Sequence, residues 1–362
     1  MDEKNTNSTP LAAASGAAKG SAGRLLALIS VRLLCVVLVT ALLLVGGLYG
    51  VMYILAKGPS VTARNLFVRS VRETSAIGFL ANLYLSDEEI AQIEAVGTEV
   101  IAETDTSLVN ISAEAADPTV ADAWGFVDED GDGIIIDEVK GEGYSGYMMI
   151  VLDPSRVVLG CNPDKLGTRG YTVEEMVELF DAVGGTNAGG FVDDGGQGDG
   201  SMPNNLIVYK GEILLGSMGV GDGFVGIDDN YILHVGLQSS QAIRDANIQY
   251  GCSFGPVLVS NGEGVDPDSL SSGINPRTAI GQRSDGAILL LVIDGRQVIS
   301  LGATFEDLMN IMLRYGAVNA SNLDGGSSTL MYFNGEYINN CASVIGIRPI
   351  PSAWVVLKEG AQ

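Results

Sequence analysis

The stretch LLCVVLVTALLLVGGLYGVMYILA, from Leu33 to Ala56, carries no charged residue. About 24 apolar residues suffice for a helix to cross a bilayer's hydrocarbon layer. The apolar region of a cleaved signal peptide is shorter, roughly 7–15 residues. Residues 33–56 are therefore read as one uncleaved transmembrane helix. Residues 1–32 are small, polar and low in complexity, the composition of a disordered cytoplasmic tail. Basic residues flank the run on both sides: Lys19, Arg24 and Arg32 before it, Lys57, Arg64, Arg69 and Arg72 after it. Charge alone does not orient it.

Past the anchor, residues 57–100 have mixed helical spacing and include a capping box, Ser86 with Glu89. They read as a helical stalk. Residues 101–139 form an acidic linker. Within it, Asp128, Asp130, Asp132 and Gly133 imitate the start of a calcium loop. The twelfth position, where a bidentate Glu belongs, is Val139, and Glu138 comes one residue early. The segment is either a partial calcium site or a solvated acidic turn. Nothing else in the chain calls for a cofactor.

Residues 140–360 change character, with short apolar runs separated by Gly and Asp turns. YMMIVLD, RVVLGC, NLIVYKGEILL, YILHVGL, GPVLVSNGE, AILLLVIDG and AWVVL are expected strands. YTVEEMVELFDAVGG and ATFEDLMNIMLRYGAVNA are expected helices, the first opened by Thr172 with Glu175, the second stopped near Gly316. Hairpin-like pairs outnumber strand–helix–strand units. That predicts an α+β domain with a mostly antiparallel mixed sheet and flanking helices, behind the membrane helix and stalk. A formal net charge of -24 argues against nucleic acid as a partner. Of the 4 Cys, Cys161, Cys252 and Cys341 lie outside the apolar run, in no zinc or disulfide spacing. The single His, His234, excludes a His-rich metal site.

Three segments invite chemistry. GCSFG matches the nucleophile elbow G-x-S-x-G at Ser253, but His234 precedes it and a strand follows. The hydrolase pattern fails on both counts. Ser284-Asp285-Gly286 reads as a hairpin turn, which brings Arg277 to the same sheet edge as Asp294 and Arg296. Two guanidiniums and a carboxylate suit phosphate recognition, or a structural Arg–Asp pair. In NLDGGSST, Asp324 follows a helix and precedes a strand, with Gly325 and Gly326 freeing the backbone. N–H groups of Ser327 and Ser328 are then available to an oxyanion. The alternative is an Asx turn in which Asp324 bonds its own backbone. The glycine-rich loop from Asn187 to Asn205 is not a P-loop, and Asn187 and Asp193 are its notable polar residues.

Four segments, NAGGFVDDGG, FGPVLVSNGE, NPRTAIGQRSDGAILLLVIDGRQ and NLDGGSSTLMY, together resemble the phosphodiester glycosidase family, in the family's order and over roughly residues 140–358. One departure is Ser327, where the family's run has a third glycine. The resemblance implies hydrolysis of a sugar-1-phosphodiester through an oxocarbenium-like transition state. It implies catalytic roles for Asp324, Asp294 and Arg277, and substrate binding by Asn187, Thr278, Arg296, Gly325, Gly326 and Ser327. Asp324 would serve the sugar, and Arg277 or Arg296 the phosphodiester. Bacterial relatives are linked to exopolysaccharide biosynthesis, which implies a cell-membrane protein with its large domain extracytoplasmic. The rival expectation is a non-catalytic envelope protein that binds polysaccharide or a glycan-phosphate polymer.

Overall fold

The computed structural model of the chain describes residues 13–74, 77–95, 101–111, 120–193, 198–215, 223–343 and 346–360. Parts of the expected tail, stalk, acidic linker and glycine-rich loop lie outside the described residues. The chain divides into two compact units, the first ending at Arg64 and the second beginning at Asn65.

The first unit holds one long helix, Ala13–Lys57. Within it, Leu26–Lys57 is long and apolar enough to cross a membrane, with none of that window buried against protein. The helix reaches back into the stretch expected to be disordered. Its early residues are rich in Ala, the strongest helix former, and this outweighs the scattered Gly and Ser.

The second unit is α+β. Seven antiparallel strands lie in the spatial order Ile134–Gly141, Tyr144–Val151, Ile288–Ile293, Arg277–Arg283, Ala317–Leu323, Val257–Ser260 and Glu263–Gly264. A second sheet runs Glu336–Tyr337, Met331–Phe333, Ala182–Asn187, Ala353–Leu357 and Val157–Gly160. A third runs Glu212–Leu215, Ile207–Tyr209, Ile248–Ser253, Phe224–Asp228 and Leu233–Val235. The first strand, Ile134–Gly141, starts inside the segment read as acidic linker and pairs along its whole length with Tyr144–Val151.

One core joins the three sheets. The run Ile288–Ile293 is fully buried, and residues from every sheet pack around it. Such a strand has no solvent face, so its sequence is continuously apolar instead of alternating. The helix Phe305–Arg314 buries Leu308, Met309, Ile311 and Met312 on this core. Thr304 and Asp307 cap its start, and Gly316 at φ 84 ends it. The helix Val173–Leu179, opened by the Thr172–Glu175 box, covers the second sheet through Val173, Met176 and Val177. Stalk residues from Asn65 onward belong to this same unit. Arg69 donates to the Ile93 carbonyl at 3.0 and 2.7 Å, and the Ser70 hydroxyl accepts from Ile274 N–H at 2.9 Å.

Asp324 follows the strand Ala317–Leu323, not a helix as expected. AVNASNL has small and polar residues where an apolar strand signal would stand. Its Asn319, Ser321 and Asn322 are buried all the same. Immediately beyond Asp324 the chain leaves the seven-stranded sheet and enters the second sheet at Met331. The residue therefore sits where two sheets meet.

Candidate active site

The crossing between sheets is tied down by a buried hydrogen-bond network. Asp324 N–H donates to the Ala188 carbonyl at 3.0 Å, and Asn187 Nδ2 donates to the Asp324 carbonyl at 2.6 Å. Asn187 Oδ1 accepts from the Thr278 hydroxyl at 2.8 Å and from Leu330 N–H at 3.3 Å. Thr278 and Thr329 hydroxyls lie 3.3 Å apart. Asn187 and Thr278 are fully buried, and the cavity wall does not include them. They hold the loop in place through its backbone.

The loop itself is shaped by two glycines. Gly326 adopts φ 62, and its N–H donates to the Pro276 carbonyl at 2.8 Å. A side chain on Gly325 would stand 2.7 Å from that same carbonyl. Only glycine tolerates this combination of close approach and left-handed backbone without strain. Ser328 N–H is spent on the Gly325 carbonyl at 3.2 Å, so it is not the free oxyanion donor that the sequence allowed. Ser327 lines the cavity.

That cavity has a volume of about 810 Å³. Its ionisable lining among the described residues is Glu73, Asp193, Asp324, Arg277, Arg296 and Arg348. Phe191, Phe254 and Phe305 supply apolar wall. Burial pushes the Asp324 carboxyl up to about 6. The Ser328 hydroxyl, Gly325 N–H and the Arg348 charge pull the other way, while Asp193 adds to the rise. Asp324 thus bonds part of its own turn and still faces the cavity.

The three arginines differ. Arg348 grips Asp193 through two bonds of 2.8 and 2.7 Å and lies over the Phe191 ring, 4.9 Å from its centre. These bonds hold the Asp193 carboxyl below its usual range. Arg277 is buried. It donates to Glu73 at 2.6 Å, to the Gly273 carbonyl at 2.7 Å and to the Ala303 carbonyl at 3.1 Å, and packs over Phe305. Desolvation lowers its pKa, against the opposing pull of Glu73. Arg296 has no carboxylate partner among the described residues. One of its nitrogens donates to the Thr74 hydroxyl at 2.9 Å and to Asn275 Oδ1 at 3.2 Å. Desolvation and the neighbouring Arg277 charge both lower its pKa. Its backbone is left-handed, φ 59, a conformation that costs a residue with a side chain about 1–2 kcal/mol.

The hairpin reading stands: Arg277 pairs with Ile293, and Gly286 at φ 99 closes the turn. Arg277 and Arg296 do converge on the cavity. Asp294 does not. Its carboxylate accepts from Asn339 Nδ2 at 3.0 Å, from Asn340 N–H at 3.0 Å and from Asn340 Nδ2 at 3.1 Å. It is a buried acceptor that fixes the segment around Asn339, and it is not among the lining residues. Ser253 is a buried strand residue whose hydroxyl accepts from Leu206 N–H at 3.2 Å. Sequence reasoning missed Arg348, Glu73 and Thr74. Arg348 sits in an unpatterned loop, and Glu73 and Thr74 sit in the segment read as a helical stalk.

Away from the cavity, ligand atoms of Asp128, Asp130 and Asp132 lie within 4.8 Å of one another. Asp128 is bonded by Gly131 and Gly133 N–H at 3.1 and 3.0 Å. Glu138, the nearest replacement for the missing twelfth ligand, pairs with Lys140 at 2.8 Å. Cys35, Cys161, Cys252 and Cys341 are all free thiols.

This geometry has relatives. The N-acetylglucosamine-1-phosphodiester alpha-N-acetylglucosaminidase of Mus musculus is 23% identical over 222 residues, 55% of this chain and 42% of that protein. An SPbeta prophage-derived uncharacterized protein, YomE, of Bacillus subtilis (strain 168) is 45% identical over 71 residues, 20% of this chain and 11% of that one. The chain thus spans less than half the length of these relatives. In three dimensions, the catalytic domain of the zebrafish N-acetylglucosamine-1-phosphodiester alpha-N-acetylglucosaminidase, auto-inhibited by its pro-peptide, superposes with a TM-score of 0.52. That match has 21% identity and covers 62% of this chain and 82% of that one, a likeness of fold. Residues 160–357, more than half of the chain and the source of both Asp324 and Arg296, match the phosphodiester glycosidase profile, and the chain belongs to that family.

Proposed function

We propose that the protein hydrolyses a sugar-1-phosphodiester at the glycosidic bond. The observation that carries this reading is a pairing within one cavity. Asp324 is a carboxyl with no basic side chain bonded to it among the described residues, and its pKa is raised. Arg296 is a guanidinium with no carboxylate partner among the described residues.

In this reading Arg296 binds the phosphodiester, whose single negative charge it matches. Asp324 lies against the anomeric carbon and is largely ionised at neutral pH. As the C1–O bond breaks, its negative charge stabilises the oxocarbenium-like centre. The bonding electrons leave with the phosphate, which departs as the aglycone's phosphomonoester. Water supplies the oxygen that adds to C1 and gives up one proton, which goes to solvent or to the departing phosphate. A phosphate is a good leaving group, so no strong general acid is needed, and the position of Asp294 away from the cavity wall is compatible with that. Asn187 and Thr278 fix the Asp324 backbone, and Arg277 shapes the phosphate side.

The helix Leu26–Lys57 supports a single-pass membrane protein, and an extracytoplasmic domain acting on envelope or exopolysaccharide glycans fits the family's bacterial members. The full chain in detergent, incubated with an α-N-acetylglucosamine-1-phosphodiester and a panel of other sugar-1-phosphodiesters, tests this. Free sugar and aglycone phosphate by mass spectrometry are expected, and lost with Asp324→Asn. Tight glycan binding without turnover of any member would replace the enzyme by a binding protein.

A further inference from the structure

The cavity is not built from the family-matched residues alone. Glu73, Thr74 and Ile77 lie in its wall, well before residue 160 where the match begins. Glu73 is seated in a set of converging donors. One carboxylate oxygen accepts from Gly273 N–H at 2.7 Å. The other accepts from Asn275 Nδ2 at 3.0 Å and from Arg277 Nη2 at 2.6 Å. These are the donors an anion would use, and a carboxylate of the protein already holds them. Thr74, the next residue, bonds Arg296.

The charge balance follows. Among the described lining residues, Asp193 offsets Arg348 and Glu73 offsets Arg277. Arg296 is the one guanidinium left without an opposing ion pair, and Asp324 faces the same space. A phosphodiester carries one negative charge, whereas a sugar-1-phosphate monoester carries nearly two above its second ionisation near pH 6. One unmatched guanidinium neutralises the first, whereas the second brings an excess negative charge up to the Glu73 and Asp324 carboxylates in the same wall.

We propose that Glu73 is a specificity-determining residue: by occupying the donors around Arg277 it restricts the cavity to monoanionic phosphodiesters and excludes dianionic sugar phosphates and diphosphates. This rests on the phosphodiester reading above and adds that a segment outside the family domain sets the charge the substrate must carry. Glu73 acts through Arg277 and takes no part in bond breaking. Removing its charge leaves Arg277 open to a second phosphate charge. Removing the Arg277 charge instead leaves Glu73 to repel it.

The test uses the full chain in detergent and a matched pair of ligands that cannot be hydrolysed. These are the C-glycosidic methylene phosphonate of α-N-acetylglucosamine, dianionic at alkaline pH, and its monomethyl ester, a monoanion. Calorimetry gives the affinity ratio, and thermal unfolding confirms that each variant is folded. The parent is expected to favour the ester. Glu73→Gln shifts the ratio toward the dianion by at least about tenfold, as one added charge within a few ångströms predicts. Arg277→Gln shifts it the opposite way, and carries the test alone if a bare buried Arg277 prevents folding of the first variant. The double variant Glu73→Gln/Arg277→Gln returns to the parental ratio. A ratio within twofold of the parent in both single variants overturns the role of Glu73. So does an equal gain in affinity for both ligands with Glu73→Gln, which would make Glu73 a plug. Failure of the parent to bind either ligand overturns the phosphodiester reading for this sugar, and the inference with it.

Discussion

Asp324→Asn is expected to make the protein more stable at pH 8 while removing its activity. Raising the carboxyl from 3.8 to about 6 means that folding disfavours its ionised form by up to about 3 kcal/mol. This is an upper bound, since the cavity is open to solvent. Below the unfolded value both states hold the proton and the penalty is absent. As pH rises from about 4 to about 6 the unfolded chain releases its proton first, and stability falls. Above about 6 the full penalty is in place. Asparagine cannot ionise, so it escapes the penalty. It gives up an acceptor for Ser328 or Gly325, worth about 1 kcal/mol. The net gain is about 2 kcal/mol at pH 8 and a loss of about 1 kcal/mol at pH 4, or roughly 5 °C upward and 2 °C downward in melting temperature. Thermal unfolding of parent and variant in the same detergent at both pH values reads this. Equal destabilisation at both would refute the reasoning, because the carboxyl would then carry no desolvation penalty. In the parent, kcat/KM should fall about tenfold per pH unit below about 6, as Asp324 takes up its proton.

Arg296→Gln should raise KM for the phosphodiester by at least about tenfold with a smaller change in kcat, since it removes a charge-assisted contact to the unreacting phosphate. Steady-state kinetics over a range of substrate concentrations separates the two. Asp294→Asn should do the reverse of Asp324→Asn: about 1–3 kcal/mol of stability lost, because an amide then faces the Asn339 and Asn340 donors. Its kcat, corrected for the folded fraction by denaturant titration, should stay within about twofold of the parent. Asn187→Ala strands the Thr278 hydroxyl, Leu330 N–H and the Asp324 carbonyl in a dry interior, and should cost about 3 kcal/mol in urea unfolding.

The residues that could be read from sequence were those whose chemistry is local. A hairpin turn fixes which strand ends are neighbours, so the meeting of Arg277 and Arg296 followed from Ser284-Asp285-Gly286. Two glycines after Asp324 signalled a tight turn: Gly326 takes a left-handed φ of 62, and Gly325 leaves room for the Pro276 carbonyl. Helix ends were legible from their capping boxes. What failed was whatever depends on distant partners. Asp294 and Asp324 look alike as single carboxylates, but Asn339 and Asn340 claim the first, and nothing in the sequence pairs them. The strand before Asp324 overlaps the end of the stretch whose spacing predicts a helix. Its buried positions are filled by Asn and Ser that hydrogen-bond inside the core, for example Asn322 Nδ2 to the Gly255 carbonyl at 2.8 Å, so apolar periodicity is missing. Glu73 was hidden by distance, 204 residues from Arg277.

Where Glu73 and Thr74 stand has a practical consequence for anyone who trims the chain. Cutting at the start of the family profile, or at the capped helix that begins with Asp87, keeps every residue of the Asp324 loop. It also discards one side of the cavity and leaves Arg277 without its carboxylate. Such a fragment would lack the apolar helix, and its measured substrate preference would belong to the fragment alone. A form without the apolar helix that is to keep the native preference has to retain Glu73 and Thr74, and Asn65, the first residue of the compact unit, is the natural place to begin it.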